Sequence, residues 1–251
     1  MRIRYVLASM IVIAFVQLAH VSSAEAQGQP SESPWFVDLA IGIAPSVNGN
    51  INSGAIGTLQ GQTTAILPNS YGDVYGTGLD FRFGGGYVLN PDSELRAMFT
   101  YQSADADLVR LGDFGASSLY GQYSDYKSFS LDVGYRRYAP IGSEDFRLFG
   151  EATIGLGFID RINLRLAAPE SNTIFDATDF YDGTAAFTWG VNVGALFRLA
   201  DQMDLTTQVG LRHVSGLSDV DQFEGTGLDD INNDSGRLTF PLVVGVRFHF
   251  K

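Results

Sequence analysis

The sequence contains no cysteine, three histidines and two lysines, Lys127 and Lys251. Without cysteine the chain has no disulfide, no reactive thiol and no thiolate ligand, and three histidines leave few ligands for zinc. We therefore expect no metal site and no cofactor. The net charge is −12, and no basic patch is present that would neutralise phosphates. This argues against nucleic acid as a partner.

Long hydrophobic runs are also missing, except at the N-terminus. There a basic start is followed by the apolar run 6–16 and by Ala24-Glu25-Ala26, the small-x-small form of a signal-peptidase site. We predict a signal peptide over residues 1–26 and a mature domain over residues 27–251. A membrane-anchoring helix is the alternative, but the apolar run is short for a full span.

The mature region alternates apolar and polar residues with the period of two that indicates β-strands. In one segment Phe129, Leu131 and Val133 share one face, while Ser130 and Asp132 share the other. Eight segments follow this pattern: residues 35–44, 79–89, 95–102, 128–136, 147–158, 187–198, 205–212 and 237–250.

The polar faces of these segments distinguish a membrane barrel from a soluble β-sandwich. They mix glycine with arginine, aspartate and glutamate, as a narrow interior requires, and the segments are long enough to cross a bilayer when tilted. Only a closed barrel satisfies every backbone group of a sheet in lipid. We predict an all-β fold, a closed antiparallel transmembrane β-barrel of eight strands with up-and-down topology.

Short and long connections alternate along the chain. The long ones cover roughly residues 45–76, 103–126, 160–184 and 214–236, and short turns such as 90–93, 140–143 and 200–203 lie between them. This asymmetry predicts four long extracellular loops and periplasmic termini. Loop one contains two apolar stretches, which predict a hairpin above the membrane; two further barrel strands, ten in total, are the alternative.

The terminal run from Leu242 to Phe250 alternates and closes on an aromatic residue. It resembles the C-terminal signature of outer-membrane barrels, from which it departs by the extra Lys251. The mature region as a whole resembles the small barrels of the OmpA and opacity type. The resemblance implies an exported Gram-negative protein of the cell outer membrane. Its expected partners are outer-membrane lipid, lipopolysaccharide and the barrel-assembly machinery, which reads the C-terminal strand.

Charged residues on the polar faces are expected to point into the lumen. An eight-stranded barrel leaves an interior just wide enough for side chains, and an isolated buried charge is unfavourable, so these charges must form pairs. The expected network consists of Asp80, Arg82, Arg96, Asp132, Arg136, Glu151, Arg212 and Arg247, with Arg198 on the same face. A plug that holds the barrel shape is one interpretation, and a narrow ion channel is another.

One pair of residues raises the question of catalysis. His213 and Ser215 share the outward face at the outer end of the seventh strand, where a base and a nucleophile would reach a lipid ester. His213-Val214-Ser215 is similar to the His-x-Ser motif of the lipid A 3-O-deacylase family. The resemblance implies His213 as base and Ser215 as nucleophile, with an orienting acid in the next segment: Glu224, Asp229 or Asp230. That family has asparagine where this chain has Gly216.

Three functions are therefore open. The preferred one is a non-enzymatic barrel that contributes to envelope integrity and presents surface loops to an unknown ligand for adhesion or interaction. An outer-leaflet lipid A esterase and a narrow channel are the alternatives. The acidic loops include Asp219, Asp221 and Glu224, which do not have the spacing of an EF-hand calcium loop.

Overall fold

The computed structural model describes residues 33–143, 145–232 and 236–250. The predicted signal peptide and Lys251 lie outside these residues. The described residues form nineteen strands, one short α-helix and one 3₁₀-helix, Pro169–Ser171. In chain order these are β1 Trp35–Asn48, β2 Asn50–Asn52, β3 Ala55–Leu59, β4 Gln62–Ile66, β5 Asn69–Ser70, α1 Tyr71–Tyr75, β6 Thr77–Asn90, β7 Ser93–Ala104, β8 Leu108–Phe114, β9 Ser117–Tyr123, β10 Tyr126–Ser143, β11 Phe146–Ile159, β12 Ile162–Ala168, β13 Thr173–Ile174, β14 Thr178–Asp182, β15 Thr184–Ala200, β16 Met203–Val214, β17 Ser218–Asp219, β18 Arg237–Thr239 and β19 Leu242–His249.

Eight long strands form a closed ring. Each pairs antiparallel with its neighbour in the order β1, β6, β7, β10, β11, β15, β16 and β19, and β19 pairs in turn with β1. Because β1 is paired on both edges, no barrel edge is left open. The prediction of an eight-stranded antiparallel barrel is therefore confirmed. None of the helices in the described residues is long and apolar enough to cross a membrane.

Two prolines interrupt the barrel strands. Pro241 separates β18 from β19, which together form the last strand of the ring. Pro140 lies in β10, where the register with β11 shifts between Tyr138 and Gly142. Proline lacks the N–H that a ladder needs, so it occurs at such irregularities. The predicted turn at 140–143 is wrong, because β10 continues across the irregularity to Ser143.

The long connections fold together into a second structure, which we call the head: the described residues of 49–76, 105–125, 160–183 and 215–236. Its main sheet has the order β17, β14, β12, β9, β8, β4 and β3. The β3–β4 hairpin pairs with β8, not with a barrel strand. The expected hairpin in loop one is thus confirmed over the ten-strand alternative.

The head has a hydrophobic core, although the sequence predicted these segments only as long loops. Most of its inward side chains are fully buried, and aromatic rings pack edge to face, such as Tyr123 on Phe180 at 5.3 Å between centroids. The largest members of this core that belong to the head are Ile51, Tyr71, Tyr75, Phe114, Leu119, Tyr123, Ile162, Leu164, Phe180, Tyr181, Phe223 and Leu228. Tyr126 of the wall strand β10 packs with them.

Helix α1 follows β5 and contacts β1. Ser70 caps it: the Ser70 hydroxyl accepts a hydrogen bond from the Asp73 backbone N–H, and the Asp73 carboxylate accepts from the Ser70 N–H and hydroxyl. The hydrogen bonds from Ser70 lower the pKa of the Asp73 carboxyl. The buried residues of the helix, Tyr71, Val74 and Tyr75, then face the core of the head.

Candidate functional site

The barrel wall is apolar outside and charged inside. Ile154 is 61% exposed and Phe83 is 54% exposed on the outer surface, whereas Asp80 and Arg136 are fully buried in the lumen. This is the reverse of a soluble protein, in which large apolar side chains avoid such exposure. A closed barrel with this polarity fits a bilayer. The protein is therefore an outer-membrane β-barrel.

The central lumen contains three carboxylates and three guanidinium groups in one network. The Asp38 carboxylate accepts from Arg96 at 2.6 Å and from Arg247 at 2.9 Å. Arg247 also donates to Glu94 at 2.7 Å. Glu151 pairs with Arg136 at 2.8 Å and with Arg96. Each carboxylate has at least two cationic partners, so the buried charges are compensated within the wall.

Two further ion pairs lie nearer the head. Arg82 binds Asp80 through two hydrogen bonds of 2.7 and 3.0 Å. Arg212 pairs with Asp132 at 3.1 Å and donates to the Ser130 hydroxyl at 2.7 Å. The structure thus places all eight residues of the expected network in the interior and pairs each of them.

Sequence reasoning missed two members of the network, Asp38 and Glu94. Both have the inward parity of residues that were assigned, since Asp38 alternates with Leu39 and Glu94 lies two positions before Arg96. That parity was the signal that would have found them. Arg198 behaves differently from the expectation: it is exposed and has no ion pair with a described residue, because it lies at the barrel end where water reaches it.

Aromatic rings line the lumen at the end of the barrel that carries the short turns. The guanidinium groups of Arg136 and Arg247 lie over the rings of Phe149 and Phe36, at 3.6 and 3.7 Å from the centroids. A cavity of about 20 Å³ lies between the ion pairs. Its size suits a single water molecule. The lumen is packed by its own side chains.

His213 and Ser215 lie at the outer surface, near the head. The His213 ring stacks on Trp189, with 5.5 Å between centroids, and its Nδ1 is buried without a hydrogen-bond partner among the described residues. The Ser215 hydroxyl accepts a hydrogen bond of 2.9 Å from the Phe187 N–H. Trp189 and Phe187 are themselves exposed, so this corner faces the lipid.

The acids named as possible partners of His213 lie in the fourth long connection. Asp229 accepts from the Gly225 N–H at 2.5 Å, and the Glu224 N–H donates to the Asp221 carbonyl. In residues 33–143, 145–232 and 236–250, no group of three or more histidine, aspartate or glutamate side chains is arranged to hold a metal ion.

No protein-family model matches the chain, and no curated protein matches it. Among solved structures, the chain is similar to Neisserial surface protein A, with 14% identity and a TM-score of 0.44 over 88% of this chain and 99% of that one. It is also similar to Ail of Yersinia pestis, with 14% identity and a TM-score of 0.37 over 87% and 100%. OprG of Pseudomonas aeruginosa has 11% identity and a TM-score of 0.45 over 87% and 97%.

Proposed function

We propose that this protein is a non-enzymatic outer-membrane barrel that contributes to envelope integrity and presents its head at the cell surface for adhesion or interaction. The observation that carries the proposal is the contrast between a lumen filled by compensated ion pairs and a head with its own core. A filled lumen favours a scaffold over a channel. A packed head favours a surface of fixed shape over mobile loops.

The proposed orientation places the head outside the cell and the short turns in the periplasm. Outer-membrane barrels have short periplasmic turns and long extracellular connections. The proposed partners are outer-membrane lipid and lipopolysaccharide around the wall, the barrel-assembly machinery at the C-terminal strand, and an unidentified ligand at the head.

The absence of cysteine makes the orientation directly testable. Ile56 is 75% exposed on the head, and Asp201 lies in a short turn. We expect a membrane-impermeant maleimide to label Ile56→Cys on intact cells and Asp201→Cys only after permeabilisation. The reverse pattern would refute the orientation.

Envelope integrity and conduction are tested separately. We expect a deletion strain to become sensitive to detergent and to large antibiotics, and the wild-type gene to restore resistance. In planar bilayers the purified protein should give no porin-sized conductance steps. Stable conductance that disappears when the lumenal charges are altered would move the channel to first place.

A lipid A esterase is the second candidate, and the exposure of the His213–Ser215 corner to lipid favours it. The test is mass spectrometry of lipid A from cells that express wild type, Ser215→Ala or empty vector. Loss of an acyl chain only with the wild type would establish the activity, and His213→Gln would follow. Identical profiles would leave His213 and Ser215 as residues of the barrel rim.

A further inference from the structure

In the part of the chain that the structure describes, two side chains accept a hydrogen bond from the backbone N–H of the glycine that follows them. The sequence has a single Asn-Gly step, Asn48-Gly49, and a single Asp-Gly step, Asp182-Gly183. The Gly49 N–H donates to Asn48 Oδ1 at 2.8 Å, and the Gly183 N–H donates to Asp182 Oδ1 at 2.9 Å. Each glycine nitrogen therefore lies beside the side-chain carbonyl carbon of the residue before it.

We propose that Asn48 is a site of spontaneous succinimide formation in the folded protein. The Gly49 nitrogen loses its proton to base and attacks Asn48 Cγ. The new N–Cγ bond forms as the Cγ–Nδ2 bond breaks, and ammonia leaves. Water then opens the imide at either carbonyl, which gives aspartate or isoaspartate. No oxidant or reductant is required.

The surroundings of Asn48 favour this reaction. Asn48 is exposed, so base and water reach it. Gly49 has a φ of 104°, a conformation that glycine adopts readily, and its N–H bonds to the Asn48 side chain and not to a strand partner. The nitrogen is thus held close to its electrophile before reaction, and such proximity is a major source of rate in intramolecular chemistry.

The site lies where β1 passes from the barrel wall into the head. Gly49 also accepts a hydrogen bond from the Tyr71 N–H at 2.9 Å, which connects this point to α1. Conversion to isoaspartate adds one carbon to the backbone there, and either product adds a negative charge. The modification therefore changes the joint between the two regions.

Asp182 is the internal contrast. Arg161 donates to the same Oδ1 atom at 2.9 Å in an ion pair. This pair stabilises the anionic carboxylate, which is a poor electrophile because its negative charge repels the attacking nitrogen and hydroxide is not released from it. Asp182 therefore stays unmodified in the folded chain, although its glycine is placed in the same way.

The experiment compares two separate samples, folded protein in detergent and the same protein in denaturant. Both are incubated for the same time at the same mildly alkaline pH. Peptide mapping by mass spectrometry follows conversion at both steps. Asn90 is the matched control, because it is exposed but precedes Pro91, which has no N–H. Asn48→Ser identifies the peptide by loss of the product.

We expect Asn48 to convert in the folded chain at least as fast as in denaturant, while Asn90 converts in neither state. Asp182 should convert several-fold more slowly in the folded chain than in denaturant, and Arg161→Gln should remove that difference. If folding slows Asn48 several-fold, the fold protects the site and the proposal is wrong. Migration before and after heating on a gel verifies that each sample was folded.

Discussion

The barrel wall and the head are built from separate sets of strands that alternate in the same way but with opposite polarity. In the wall, Leu131 and Val133 of β10 face outward and Asp132 faces the lumen; in the head, Leu119 of β9 faces the core and Gln122 faces outward. Both regions alternate with a period of two, yet one buries charge and the other buries hydrocarbon. The pattern alone therefore gives the faces of a strand, and the solvent decides which face is buried.

The position of the buried face along the chain changes between a head strand and the wall strand that follows it, as the step from β9 to β10 shows. Inward side chains have odd numbers in β9, such as Leu119 and Tyr123, but even numbers in β10, such as Ser130. The two residues between β9 and β10 shift the alternation by one position. Such a shift moves every following side chain to the other face.

The largest expected effect comes from breaking the lumenal network. Arg247→Met leaves Asp38 and Glu94 without their shared cation, and an uncompensated buried charge costs about 3–5 kcal/mol. Urea unfolding in detergent should show a loss of this size. Arg137→Met, an exposed arginine at the turn end, is the matched control and should change little. Equal losses in both variants would mean that the network does not hold the wall.

A cavity in the head should be almost as costly but confined to the head. Leu119 is fully buried, and a buried leucine replaced by alanine costs about 2–5 kcal/mol. We expect Leu119→Ala to make the head sensitive to protease while the barrel retains its heat-modifiable migration. Ile56→Ala, at an exposed position, should leave both unchanged. Loss of the barrel together with the head would show one cooperative unit.

Replacing two exposed isoleucines by arginine tests whether the wall lies in lipid and the head in water. Ile154 is 61% exposed on the wall and Ile56 is 75% exposed on the head. Ile154→Arg places a charge in lipid and should cost about 2–4 kcal/mol if the position lies near the bilayer centre. Ile56→Arg places it in water and should cost almost nothing. Folding yield in lipid vesicles measures both, and similar yields would contradict the assignment of the wall to the membrane.

The smallest expected effect concerns acid and the α1 cap. The pKa of Asp73 is lower in the folded state, so its stabilising contribution is present above the pKa of the unfolded chain, about 4. It is lost as pH falls through the folded-state pKa. Asp73→Asn should therefore remove part of the acid sensitivity of the head, measured by protease resistance across that pH range. The lumenal ion pairs, shielded from water, are expected to be unaffected by this change.

Much of the wall was predictable because apolar and polar residues alternate in every one of its long strands. The eight strands and the inward parity of residues such as Asp132 follow from the sequence. The turn at 140–143 was not predictable, because Pro140 normally ends a strand and here only interrupts its register. The core of the head was missed because its apolar residues are spread over four separate segments, and only their assembly brings them together.

For the candidate site residues, too, the sequence determined one part of the arrangement and the fold another. Sequence placed His213 and Ser215 on one outward face, but only the fold brought Trp189 against the His213 ring and the Phe187 N–H against the Ser215 hydroxyl. The neighbours of a side chain on a strand come from other strands, and the pairing register that brings them together is fixed in the folded sheet.

By itself the sequence determined the alternation, the export signal as an expectation, and the set of charges that must be buried. The tertiary structure decided which carboxylate meets which guanidinium. Asp38 and Arg247 lie 209 positions apart and form a 2.9 Å pair only because β19 closes the ring against β1. It also decided that the long connections share one core, since burial of hydrocarbon is a property of the assembled segments and not of any one of them.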